Sequence, residues 1–307
     1  MGTEVAYSSE NVGDWGTPQA AAGGVYGTDT LAMADGTKVF FRYWRAADAT
    51  APVVVYLHGL GAHTGWFIDL GNELNARGLT VYMDDHRAFG RSEGPRGHVQ
   101  HGIVYVEDIQ RFLAHVREQH PDAPLFLAGH SMGGIFAIYT AAADAAREQS
   151  LLSGLILLNP WIKDAIKVKP AALLRVVTGG MRGSERLFMR KPSTDEMTLI
   201  PDAVRMLNDD TYWVRNQSES FLYQVTLLRS RVLAQARKVR TPALVIQTEG
   251  DATLVQAATR KCYEQLGSKD KTWKTYPNFA HDFEFEPGRS VLDDDIADWI
   301  MRHKPQA

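Results

Sequence analysis

The sequence predicts an α/β protein, with a mostly parallel central sheet covered by helices on both faces and interrupted once by a helical insertion. Three observations carry this expectation. Short apolar runs recur along the chain, most are continuous rather than alternating, and amphipathic stretches separate them. Continuous runs suit strands buried on both faces, and strand–helix alternation makes those strands parallel. The 307 residues are 45% hydrophobic and 22% charged, an ordinary globular composition. A chain of this size buries about three quarters of its unfolded surface, so it needs neither disulfide nor metal for stability.

In chain order, residues 1–27 hold no basic start followed by an apolar run; they read as a loose extension rather than a signal peptide, in a cytoplasmic protein. Strands are expected at 38–44, 53–59, 79–85, 125–129, 155–159, 243–248 and 272–277. A helix is expected over 103–119, where Val106, Ile109, Phe112, Leu113 and Val116 share one face. After Asn159 the alternation stops until about residue 240, so residues 28–159 and 237–307 form the core and 160–236 the insertion. Within it Phe221, Val225, Leu228 and Val232 form a stripe, suited to a helix on the core or to a lid over the carboxyl ends of the strands. No window reaches the roughly 18 apolar residues that span a bilayer. Cys262 is the single cysteine, which excludes an intramolecular disulfide, and its surroundings read as a plain helix. The net charge of −3, without a basic block, argues against nucleic acid as a partner.

Chemistry concentrates in Gly129-His130-Ser131-Met132-Gly133, a G-x-S-x-G motif with a strand before it and a helix after it. Glycines two positions either side of the serine let a strained turn pass close to its neighbours. The turn presents the Ser131 hydroxyl and leaves the Met132 amide at a helix start, where an anion is favoured. A second amide donor is expected from the early loop "HGLGAH", at Leu60, with His58 in a structural role. A serine needs a base, and His281 follows the last strand in a loop. His115, His120, His130 and His303, and the loop histidines His86, His98 and His101, are less well placed. Asp251, in the turn after the strand at 243–248, is the expected carboxylate partner, ahead of Glu249 and Asp282. The order Ser131, Asp251, His281 is that of the α/β-hydrolases.

On "HGLGAHTGW", "DDHRAFGRSEGPRG", "GHSMGG", "EGDATLV" and "FAHDF", the chain resembles the monoacylglycerol lipase and lysophospholipase branch of the α/β-hydrolase superfamily, also described as serine aminopeptidase-like, over roughly 36–302. Asp85 and Arg87 fall in a segment that such relatives use as a structural corner, and Ala88 replaces its first glycine. The resemblance implies an α/β-hydrolase fold with a mobile helical cap at the insertion. It implies a catalytic Ser131, Asp251 and His281, and an ester substrate with a single acyl chain, most naturally a monoacylglycerol. Alternatives on the same triad are a short-chain carboxylesterase, a lysophospholipase or an amidase/peptidase; a non-catalytic binding scaffold is a further one. Apolar stretches such as "PAALLRVV" and "FLYQVTLL" suit either an acyl tunnel or cap packing. No cofactor or metal is expected, since no histidine–carboxylate spacing resembles a zinc site. Contact of the cap with membranes or micelles, and the oligomeric state, stay open.

Overall fold

The computed structural model describes residues 25–165, 168–188, 198 and 200–304, so residues 1–24 of the expected extension and part of the insertion lie outside the described residues. Seven strands match the apolar runs: β2 (Lys38–Arg45), β3 (Val53–Leu57), β4 (Thr80–Asp84), β5 (Leu125–His130), β6 (Gly154–Leu158), β9 (Ala243–Thr248) and β10 (Lys271–Tyr276). One further strand, β1 (Val25–Ala32), begins inside the stretch read as an extension. Its sequence, VYGTDTLA, mixes apolar and polar residues, as suits an edge strand paired only with β2 in antiparallel register.

The sheet runs β1-β2-β4-β3-β5-β6-β9-β10, antiparallel at β1–β2 and β2–β4 and parallel from β4 onward. In β3, Val53, Val55 and Leu57 join one core layer while Val54 and Tyr56 join the other. Both faces are dry, which is why the run shows no polar alternation. One layer is closed by α2 (Val104–Gln119) and α3 (Met132–Asp144), and Cys262 of α7 (Gln256–Gln265) is buried in it. The other is closed by α1 (Ile68–Ala76) and α8 (Ser290–His303).

The segment between β6 and β9 holds α4 (Pro170–Gly180), α5 (Pro201–Asp209) and α6 (Glu219–Ala236). It also holds a short antiparallel ribbon, β7 (Leu187–Phe188) with β8 (Gln217–Ser218), where no strand is legible in the sequence. The predicted stripe is the packed face of α6: Phe221, Val225 and Val232 are buried and Leu228 is half-buried beside them. Tyr139 of α3 donates its hydroxyl to the Leu228 carbonyl at 2.8 Å. In contrast, α4 leaves Leu173 and Leu174 exposed.

Candidate active site

Strand β5 ends at His130 and α3 starts at Met132, so Ser131 alone makes the turn, at φ +52° and ψ −114°. A backbone in this region costs a non-glycine residue about 1–3 kcal/mol and is kept only where its surroundings enforce it. The flanking glycines are those surroundings. A Cβ on Gly129 would lie 2.5 Å from the Gly133 carbonyl oxygen, and one on Gly133 would strike the Leu57 carbonyl at the end of β3. Close packing of β5 against the first turns of α3 therefore explains Gly129, and close passage over the end of β3 explains Gly133.

Ser131 donates its hydroxyl to His281 Nε2 at 3.0 Å, and His281 Nδ1–H donates to Asp251 Oδ2 at 2.7 Å. All three residues are buried. The other oxygen of Asp251 accepts the amide and hydroxyl of Thr253 at 2.8 and 2.7 Å. Burial opposes ionisation of Asp251, yet the hydrogen bond from His281 outweighs it and holds the carboxyl below 3.8. Glu249 is exposed at the surface, and Asp282 Oδ1 lies 3.9 Å from His130 Nδ1, whereas the hydrogen bond of His281 Nδ1 goes to Asp251. The backbone of His281 is clamped as well. Its carbonyl accepts His130 Nε2–H and Asn159 Nδ2–H, both at 3.0 Å. Asn159 also accepts the Thr248 amide at 2.8 Å, which ties the ends of β6 and β9 to the histidine loop. No single-sequence signal marks this hub beyond the turn-forming Asn-Pro after β6.

The loop after β3 meets Ser131 at Gly59, where a Cβ would lie 3.2 Å from Ser131 Cβ. His58 Nε2 accepts the His86 amide at 3.0 Å, so the ring proton is on Nδ1, which donates to the Gly59 carbonyl at 2.7 Å. In a trans peptide the C=O and N–H point oppositely. Holding the Gly59 carbonyl on the His58 side therefore turns the Leu60 N–H the other way. Met132 follows Ser131 as the first residue of α3. Asp85 accepts the amides of Thr64 at 2.6 Å and Arg91 at 2.7 Å, while Arg87 pairs with Asp108 and Asp35, a corner built for structure. Ala88, at the expected glycine position, takes φ +66°, a conformation glycine adopts without strain.

A cavity of about 340 Å³ lies between α4 and α6, bounded by Leu60, Trp161, Leu173, Val176 and Leu222. Trp161 N–H donates to the Ser131 carbonyl at 2.9 Å, so the wall is continuous with the turn. Its polar end is Asp164, which accepts the Trp161 indole N–H at 2.8 Å and pairs with Arg229. A second link was not legible in the sequence. Asp210, in the insertion, accepts His63 Nε2–H at 2.8 Å and the Trp66 indole N–H at 2.6 Å, all three buried. The ligand atoms of His130, His281 and Asp282 lie within 4.8 Å of one another, but both His281 nitrogens are engaged by Ser131 and Asp251. The arrangement can do acyl transfer: a hydroxyl with a base, an oriented imidazole, and amides beside it.

A family model described as serine aminopeptidase, S33, matches residues 48–288. Among curated proteins, the monoglyceride lipase of Homo sapiens is 30% identical over 254 residues, covering 82% of each chain. The monoacylglycerol lipase of Mycolicibacterium smegmatis is 26% identical over 275 residues, or 89% of this chain and 96% of its own. Among solved structures, a soluble variant of monoglyceride lipase from Saccharomyces cerevisiae, in complex with a substrate analog, aligns with a TM-score of 0.80. The identity is 19%, over 94% of this chain and 99% of that one. Paleococcus ferrophilus monoacylglycerol lipase aligns at 0.74 with 23% identity, over 82% and 96%. These structural likenesses carry the α/β-hydrolase fold.

Proposed function

The chain belongs to the serine aminopeptidase S33 family, and from that premise we propose that it is a serine ester hydrolase cleaving monoacylglycerols through an acyl-enzyme. The observation that carries the reading is the unbroken relay Ser131–His281–Asp251 near a half-open, mainly apolar cavity. His281 Nε2 takes the Ser131 proton as Oγ bonds to the ester carbonyl carbon. The Leu60 and Met132 amides hold the oxyanion, and collapse breaks the bond to the alcohol, which leaves with the proton from His281. Water then adds with His281 as base, and Ser131 departs with its proton restored. Asp251 keeps the imidazole in the needed tautomer and stabilises its charged form. A volume of about 340 Å³ lies at the small end of ligand pockets and suits one acyl chain.

In this reading residues 160–236 are a cap whose α4 side moves to admit substrate while α6 stays packed on the core. Val168, Leu174, Met181 and Leu187 are exposed beside Lys169, Arg182 and Arg186, which suits brief contact with a membrane or micelle surface. Among the described residues no helix is long and apolar enough to cross a membrane. The test is hydrolysis of p-nitrophenyl esters from acetate to palmitate, then of monoacylglycerols, with Ser131→Ala alongside. A maximum at medium or long chains that vanishes in the variant is expected. A maximum at acetate or butyrate makes the protein a short-chain carboxylesterase, and full activity in Ser131→Ala overturns the mechanism.

A further inference from the structure

We propose that the cavity between α4 and α6 binds an anionic group of the substrate, a carboxylate or a phosphate, at Arg229 and Lys169. The proposal rests on the ester-hydrolase reading and narrows its substrate class. Two cations, Arg229 and Lys169, line the cavity against a single carboxylate, Asp164. Among the described residues its wall therefore carries one net positive charge, set in mainly apolar surroundings where charge is weakly screened.

Arg229 is held in place without being used up. Its guanidinium lies 4.7 Å over the Trp161 ring and pairs with Asp164, and the two side chains are only 18% and 26% exposed. Asp164 is fixed in turn, since it accepts the Trp161 indole N–H at 2.8 Å. A guanidinium carries five N–H donors in a rigid fork. Asp164 takes Nη1, and among the described residues no other group accepts a hydrogen bond from Arg229. A fork oriented in advance loses little freedom when it meets a second acceptor. Lys169, which precedes Pro170 at the start of α4, is exposed, and no carboxylate pairs with it among the described residues.

The two cations sit away from the joint between the helices. At that joint Arg175 pairs with Glu219, and a Cβ on Gly180 would strike the Tyr223 side chain. Arg229 stands ten residues beyond Glu219, about 15 Å along the axis of α6. Leu222, Thr226 and Arg229, at i, i+4 and i+7, turn one face of α6 to the cavity. A methyl-ended chain offers this end nothing, whereas a carboxylate or phosphate matches the fork with two oxygens. Such an anion has two sources: the far end of the acyl chain, as in a monoester of a dicarboxylic acid, or the headgroup, as in a lysophosphatidate.

Two matched pairs of esters test the proposal and separate the sources. The first is mono-p-nitrophenyl suberate against p-nitrophenyl octanoate. The second is 1-octanoylglycerol 3-phosphate against 1-octanoylglycerol. The readout is the ratio of kcat/KM, anionic over neutral, measured on one preparation so that the folded fraction cancels. A ratio above one is expected in at least one pair, and that pair identifies the end that carries the anion. Arg229→Gln should lower that ratio about ten-fold, the loss of a hydrogen bond between charged groups, and Lys169→Gln about three-fold. Where Arg229→Gln does not fold, Lys169→Gln at the exposed position carries the comparison. Ratios below one in both pairs overturn the proposal, as does a ratio that the folded variant leaves unchanged. Wild-type protein that cleaves none of the four esters refutes the ester-hydrolase reading itself, a result distinct from cleavage without preference.

Discussion

Substitution at His58 separates the two hydrogen bonds its ring makes. Asparagine carries an amide nitrogen near the position of Nδ1, so His58→Asn keeps a donor for the Gly59 carbonyl and abandons the His86 amide. Glutamine reaches the position of Nε2, so His58→Gln keeps the acceptor for His86 and abandons Gly59. Both variants leave one buried backbone group unpaired, at a similar cost of about 1–3 kcal/mol in stability. Their catalysis should diverge. Deleting an oxyanion donor costs about 10²–10³ in kcat. Freeing the Gly59–Leu60 peptide does not delete the donor but lets it turn, so His58→Gln should lose about 10–100-fold in kcat with KM little changed, as expected for an interaction made in the transition state. His58→Asn should stay within about three-fold of wild type. Burial, then the neighbouring His86, holds His58 far below 6.5, so it is neutral throughout and both effects should be flat from pH 7 to 9. The assay is steady-state hydrolysis of a soluble p-nitrophenyl ester, with circular dichroism to establish the folded fraction. Equal kcat in the two variants at equal folded fraction refutes the peptide-orientation argument.

Other expectations follow from the same geometry. Gly133→Ala drives a methyl into the backbone carbonyl of Leu57, which cannot swing aside as a flexible side chain could, so a loss above about 3 kcal/mol in denaturant unfolding is expected. For Asp210, burial opposes ionisation, but hydrogen bonds from His63, Trp66 and the Tyr212 amide prevail and hold the carboxyl below 3.8. A depressed carboxyl stabilises the fold above its unfolded value and loses that contribution as pH falls through its folded one. Asp210→Asn should therefore melt below wild type at pH 6, by about 2 kcal/mol, with the gap closing below pH 3.8; a gap constant with pH contradicts the assignment. Cys262 is buried and its thiol is pushed up to about 12, so native protein at pH 8 should react with Ellman's reagent only after unfolding, at one thiol per chain.

Legibility in the sequence largely followed burial symmetry, although the half-exposed edge strand β10 was also read, at 272–277. Strands covered on both faces, such as β3 and β5, stood out as continuous apolar runs, broken in β5 only at its last residue, His130. The edge strand β1 and the two-residue ribbon β7–β8 did not, since neither is enclosed on both sides and neither produces a period. Ser131, Asp251 and His281 were readable because each sits where a strand ends in a turn, and turn chemistry is local. The hub at Asn159, the clamp from His130 and the Asp210 link depend on residues far apart in the chain. A lone Asn or Asp carries no mark of the partner that folding will bring. Ala88 was noticed as a missing glycine, but its left-handed backbone comes from the corner around it.

Asn159 has a consequence for exchangeability. It takes φ +41°, donates to Thr248 Oγ1 and the His281 carbonyl, and accepts from the Thr248 amide. Glycine would meet the backbone requirement and offer no side chain. Aspartate would accept but not donate, and glutamine would donate with the wrong reach and a poorer fit to that backbone. Few alphabets of twenty contain a second solution. Because the insertion departs from the sheet at the very next residue, anyone grafting a cap from a relative would inherit this junction as a fixed hinge point. Donor segments must be cut after it, never through it.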